Sequence, residues 1–171
     1  MLNRLLVFVG LSLAALAGLS GLAHAQQAAS GEALVILGGS THTLQVFECR
    51  RDYPSPTEPD RTISLALSAA PAGTPDDLLE PLRNNDDGGG GDVLAAMEAV
   101  LARGAVLSLA HHADGGDVVT FFPSQDMENT VAILSEDGFL EMTDEGISGT
   151  TAASTMDGAP LGDFVLSAAC P

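Results

Sequence analysis

Two cysteines, each closing a strand-like run, constrain this chain more than any other feature in it. In the last run, Gly162 to Cys170, alternate residues Phe164, Leu166, Ala168 and Cys170 share one face. That is the period-two pattern of a half-buried strand. The other cysteine, Cys49, ends the run Thr41 to Cys49, where simple alternation puts Gln45, Phe47 and Cys49 on one face. Each thiol therefore follows a phenylalanine on its own face. A Cys49–Cys170 disulfide would tie the start of the folded region to its end across 121 positions. The chain-entropy model gives roughly 4–5 kcal/mol as the upper limit for closing so long a loop. Two buried free thiols are the alternative, and an oxidising compartment disfavours them.

The compartment is itself legible. Met1-Leu2-Asn3-Arg4 carries one positive charge, Leu5 to Leu22 is free of charge and dominated by apolar, Gly and Ser residues, and Ala23-His24-Ala25 is a small-x-small site. This is the three-part pattern of a cleaved secretory signal over residues 1–25, leaving residues 26–171 as a single mainly-β domain. The apolar run is just long enough to span a bilayer, so an uncleaved anchor is the competing reading. No cysteine follows the run, so lipoprotein processing does not apply, and the expected location is periplasmic or secreted with no membrane insertion after cleavage.

Charge narrows the partners. The formal net charge is −17; removing the signal takes away Arg4 and no acid, giving −18. Such a chain repels phosphate backbones and anionic membrane surfaces, which argues against nucleic acid as a partner. An apolar content of 46% separates it from acidic disordered chains. An unidentified protein or small molecule remains as the partner.

Along the chain, Ala33–Leu37 reads as a buried strand, Gly38-Gly39-Ser40 as a turn and Thr41–Cys49 as its hairpin partner. Asp52 to Asp60 holds Pro54, Pro56 and Pro59 and reads as a loop. Arg61–Ala69 alternates with Ile63, Leu65, Leu67 and Ala69 inward. Thr74 is expected to cap a short helix or turn limited by Pro81, and Asp92 to cap the principal helix, Val93–Arg103, stopped by Gly104. Val93, Met97, Val100 and Leu101 form its apolar stripe. Ala105–His111 and Val118–Phe122 form a hairpin around Asp114-Gly115-Gly116. Thr130–Leu134 and Phe139–Thr143 are expected to form another across Glu136-Asp137-Gly138. A Thr-rich run, Ile147–Met156, turns at Asp157-Gly158 into the final strand. The pattern predicts a mainly β fold with one α-helix (α+β), an antiparallel β-sandwich or open barrel closed by one disulfide.

The candidate chemistry is sparse. Without lysine there is no P-loop, Schiff base or Ser-x-x-Lys acylase, and no His-Glu-x-x-His, Cys-x-x-Cys or Gly-x-Ser-x-Gly occurs. His111 and His112 with Asp114 and Asp117 are the best transition-metal candidates. Neighbouring strand residues diverge, however, and Asp114-Gly115-Gly116-Asp117 is explained as a turn. Asn84, Asn85, Asp86, Asp87 and Asp92 offer oxygen ligands suited to calcium, but in no EF-hand spacing, and a solvated linker accounts for them. Pairs such as Glu136/Asp137 and Asp144/Glu145 follow from the acidic composition alone. No catalytic, cofactor-binding or metal residue is assigned, and no cofactor.

The order of Val35 through Cys49, Gly149-Thr150-Thr151-Ala152 and Phe164 through Cys170 resembles the lipoprotein antigen family of mycobacterial envelopes. The resemblance lies in the order of elements and implies a small, disulfide-closed, mainly β envelope domain with no catalytic residues to carry over. The chain departs from it in its lack of a lipidated cysteine, in its Gly-rich tract and in its helix, so membrane anchoring does not transfer. The expectation is an exported envelope domain of non-enzymatic binding or surface-interaction type. A small secreted carboxylate-using hydrolase is the first alternative, and a calcium or transition-metal binding protein the second.

Overall fold

A computed structural model describes residues 27–56, 58–84, 91–125, 129–144, 146–155 and 157–171. The fold is mainly β: one curled antiparallel sheet, a half-barrel, with two short helices and one disulfide. The strands are β1 (Glu32–Leu37), β2 (Ser40–Pro54), β3 (Thr62–Ala70), β4 (Val106–His112), β5 (Asp117–Phe122), β6 (Val131–Ser135), β7 (Leu140–Met142), β8 (Ile147–Ser154) and β9 (Pro160–Ala168). Their order is β6-β5-β4-β3-β2-β1-β9-β8-β7. The last strand thus lies inside the sheet, between β1 and β8.

The β1–β2 hairpin forms as expected, with Leu37 opposite Ser40 and both turn glycines at positive φ, 53° for Gly38 and 84° for Gly39. This pairing of left-handed residues matches strand twist in a two-residue turn. The core fills the inner face of the curl: Val35, Leu44, Val46, Leu65, Leu67, Leu107, Val119, Phe121, Phe164 and Leu166 are all buried. Phe121, Phe164 and Phe139 pack edge to face, and His42 meets Phe121 the same way at 5.2 Å between ring centroids. Burial lowers the His42 pKa from its usual value.

Several expectations are corrected. The face Gln45–Phe47–Cys49 does not exist, because a β-bulge shifts the β2–β3 register between Val46 and Glu48. Leu44 and Val46 face the core before the bulge and Cys49 packs against it afterwards, while Phe47 packs with the helices on the other side of the sheet. Nor does Pro54 end β2 early. Ser55 N–H donates to Arg61 O, so the neighbouring Pro54–Thr62 pair is a non-hydrogen-bonded one, and a missing N–H there costs no ladder bond.

The expected single helix is two, α1 (Asp76–Arg83) and α2 (Gly91–Leu101), both in the β3–β4 connection. Pro81 sits inside α1. Thr74 does not cap it: its hydroxyl donates to Pro71 O, and Pro75 occupies the cap position without a side-chain bond. Asp92 lies in the first turn of α2. Leu79, Val100 and Leu101 bury against Ala70 and Val106 on the outer face of the sheet, with Met97 half-buried beside them.

The hairpin expected over 130–143 is absent. β6 pairs only with β5, and β7 pairs with β8 at the opposite edge of the sheet. The chain crosses between the two edges because the N–H groups of Phe139 and Leu140 donate to the Asp117 carboxylate, at 2.5 and 2.8 Å, instead of to β6. Among the described residues the edges approach at one bridge, Val131 opposite Thr155. No helix among the described residues is long and apolar enough to cross a membrane.

Candidate functional site

Cys49 and Cys170 are joined, with Cα atoms 5.9 Å apart. The entering segment is tied beside them: Gly31 N–H donates to Ala169 O, and Ala28 N–H to the Ser167 hydroxyl.

Of the four metal candidates, His111 and Asp117 pair with each other, and His112, Asp114 and Asp117 line one surface pocket beside Arg61. His111 points inward, its Nδ1 2.7 Å from Oδ1 of the fully buried Asp117. Asp114 turns outward, where both its oxygens accept from Arg61, at 2.8 and 2.9 Å. That hydrogen-bonded guanidinium holds the Asp114 pKa down at about 2. His112 lies on the opposite face of β4 from His111. Of the calcium candidates, residues 85–87 lie outside the described residues. Among the described residues no group of three His, Cys, Asp or Glu is placed to hold a metal ion.

The structure does bring together a set of residues that alternation had separated. On the outer face of β2, β3 and β4 a groove of about 350 Å³ runs from the end of α1 to His112. Its floor is made by small residues in register: Ala66 and Ala110 at the centre of the row Arg50–Ala66–Ala110–Val118, and Ser68 and Ser108 in the next row beside Glu48. A third row, Tyr53–Ile63–His112, forms one wall. Leu82 and Arg83 of α1 stand at the other.

Two local irregularities build that wall. Asp52 is the one non-glycine residue with positive φ among those described, at 51°. Across the ladder, β3 carries an extra residue at Ser64 relative to β4. Beyond these points Tyr53 and Ile63 turn to the outer face, so Ile63 buries beside His112 and not in the core where its alternation with Leu65 placed it. Strained backbone of this kind is retained where surrounding structure over-determines it, and it concentrates at functional sites.

The electrostatics are paired. Arg50 Nε lies 2.8 Å from Glu48 Oε1, and an Arg50 Nη2 hydrogen donates to Arg83 O. Arg83 donates to Phe47 O and Asp76, and its guanidinium lies over the Phe47 ring. His112 is different. It is 4% exposed, and its Nδ1 is the one buried side-chain nitrogen or oxygen among the described residues with no hydrogen-bond partner. A buried polar atom left unpaired costs about 1–3 kcal/mol.

Sequence reasoning missed the groove. One signal was present: in a strongly acidic chain, the outward positions Ala66 and Ser68 of β3 and Ser108 and Ala110 of β4 are all small and uncharged. Fold and site together define a disulfide-closed β half-barrel with a small-floored groove on its outer face. Comparison with protein-family models, curated proteins and solved structures returns no match.

Proposed function

We propose that this chain is an exported, non-enzymatic binding domain that holds a small molecule in the groove across β2, β3 and β4. The observation that carries the reading is His112: a buried imidazole whose Nδ1 has no partner among the described residues lines a groove floored by alanine and serine. A ligand seated against His112 that draws Nδ1 into a hydrogen bond as the ring turns toward the groove removes the cost of the unpaired nitrogen, an incentive to bind that a flat surface lacks. The curled sheet, read as an open barrel, supplies a rigid frame, since its inner face is filled by core side chains and leaves the outer face for recognition. The disulfide supports a location outside the cytoplasm, periplasmic or secreted. The signal pattern over residues 1–25 and the resemblance to mycobacterial envelope lipoprotein antigens support the same assignment.

A fragment screen against the ¹⁵N-labelled chain tests it. Bound fragments should shift the amides of Ala66, Ala110 and His112 in a saturable way. Fragments that perturb only residues remote from these three would sink the reading. Sequencing of the exported form should begin at Gln26, and recovery of the full-length chain in the membrane would contradict export.

A further inference from the structure

We infer that the groove takes a neutral sugar, a pyranose ring laid across β3 and β4; this rests on the groove being a ligand site and adds the ligand's chemistry. The shape comes first. Ala66 and Ala110 face each other across the ladder, so the floor between them ends at two methyl groups. The slot is as deep as the side chains they lack. Tyr53 and Ile63 bound it on one side and Leu82 on the other. A rigid ring with one C–H face fits such a slot and packs its apolar face on the alanine floor and the tyrosine wall.

The polar groups then select among rings. A ring hydroxyl both donates and accepts, and is satisfied only where both partners are at hand. Glu48 and Arg50 present an acceptor and a donor side by side, locked together at 2.8 Å. Ser68 and Ser108 stand opposite each other in the ladder and can each act either way. His112 Nδ1 needs one partner, and a hydroxyl serves whichever ring tautomer is present. A hydrocarbon ring would leave the buried His112 nitrogen unmet.

Charge removes the remaining classes. A net charge of −17 disfavours an anion approaching the protein. Within the groove Glu48 neutralises Arg50, and Arg83 leaves the lining with one positive charge in excess, which disfavours a cation there. A neutral polyol meets neither barrier.

The test is saturation-transfer NMR on the full chain with three probes: methyl β-D-glucopyranoside, methyl β-D-galactopyranoside and methyl α-D-mannopyranoside. Benzoate and benzyl alcohol serve as a charged and a neutral flat comparison. At least one glycoside should bind saturably in the millimolar range. Ala110→Leu, which fills the slot, should weaken it at least tenfold, and His112→Phe about fivefold. If Ala110→Leu does not fold, Ser108→Leu at an exposed floor position replaces it. Binding of benzoate or benzyl alcohol alone, lost in the slot-filling variant, would overturn the sugar and keep the groove as a site. Glycoside binding untouched by either slot-filling variant would also overturn the inference. No binding by any of the five probes would overturn the inference and the groove reading together.

Discussion

His111 Nδ1 and Asp117 Oδ1 lie 2.7 Å apart at the closed end of the β4–β5 hairpin, and this pair decides how the second half of the chain runs. Asp117 uses its other oxygen to accept the N–H groups of Phe139 and Leu140. One buried carboxylate therefore joins an inner strand to the loop that carries the chain from one edge of the sheet to the other. Close packing completes the joint. A Cβ on Gly138 would sit 1.9 Å from Gly115 O, and Gly138 has a φ of 70°, so only glycine fits there.

Asp117→Ala should accordingly be among the most damaging single substitutions. It strands an imidazole and two amides in the interior. Each buried polar group left unsatisfied costs about 1–3 kcal/mol. Asp117→Asn should recover much of this, because its carbonyl oxygen can accept from both amides while its NH₂ donates to His111 Nδ1. Urea denaturation of both variants checks the order; an Asp117→Ala midpoint equal to that of the parent would refute the role given to the carboxylate.

Asp114 gives the acid response. Its pKa is held at about 2, below the ordinary 3.8, chiefly by the hydrogen bonds from Arg61. A depressed carboxylate stabilises the fold above its unfolded value, and that contribution is lost as pH falls from about 4 through about 2. Asp114→Asn removes that contribution, so the variant should lie below the parent at neutral pH and converge with it near pH 2, by a small amount at every pH since the pair is solvent-exposed. Thermal melts at half-unit steps between pH 5 and 2 measure it. An unchanged acid slope in the variant would show that other carboxylates carry it.

How far the sequence revealed this structure depends on where each strand's hydrogen bonds go. β3 was legible because it lies between two partners and presents Leu65, Leu67 and Ala69 to a single core. The 130–143 segment was not, because its apparent hairpin is overridden by a carboxylate 22 residues before Phe139. The candidate site was hidden for a related reason. Alternation counts residues, and the irregularities at Phe47, Asp52 and Ser64 change the count. Cys49 reached the core face only because Phe47 is extra; Tyr53 and Ile63 reached the groove only because the strands slip once more.

The disulfide should act on the whole domain and not on one strand. β9 is held by β1 on one side and β8 on the other, and the entering segment adds the bonds from Ala28 and Gly31. Losing the bridge in the double variant Cys49→Ala/Cys170→Ala should reduce stability by up to about 4–5 kcal/mol. Hydrogen exchange in β9 should then rise together with that in β1 and β3. Selective exposure of β9, with β3 still protected, would mean the bridge is a local latch.

Phe47 offers the sharpest separation between parts of the fold. It is the inserted residue of the bulge, and its ring leaves the core to pack with Leu79, Val100 and Leu101 beneath the Arg83 guanidinium. Its carbonyl accepts from Arg83 Nε, a bond that does not depend on the side chain. Phe47→Ala keeps the extra residue, and so keeps Cys49 on the core face and the disulfide intact. What it removes is the floor under α1 and α2. Neither helix is long enough to persist without packing. The expected result is a loss of about 1–3 kcal/mol confined to the helical pair, below the range for fully buried aromatic truncations because the ring is only half-buried. Exchange should accelerate in α1 and α2 while the ladder amides of β3 and β4 stay slow, and thiol titration should find no free cysteine. Because Leu82 and Arg83 form one wall of the groove, any ligand bound there should weaken in the same variant. Uniform acceleration across sheet and helices would instead place Phe47 in the global core and remove the distinction between the two packing clusters.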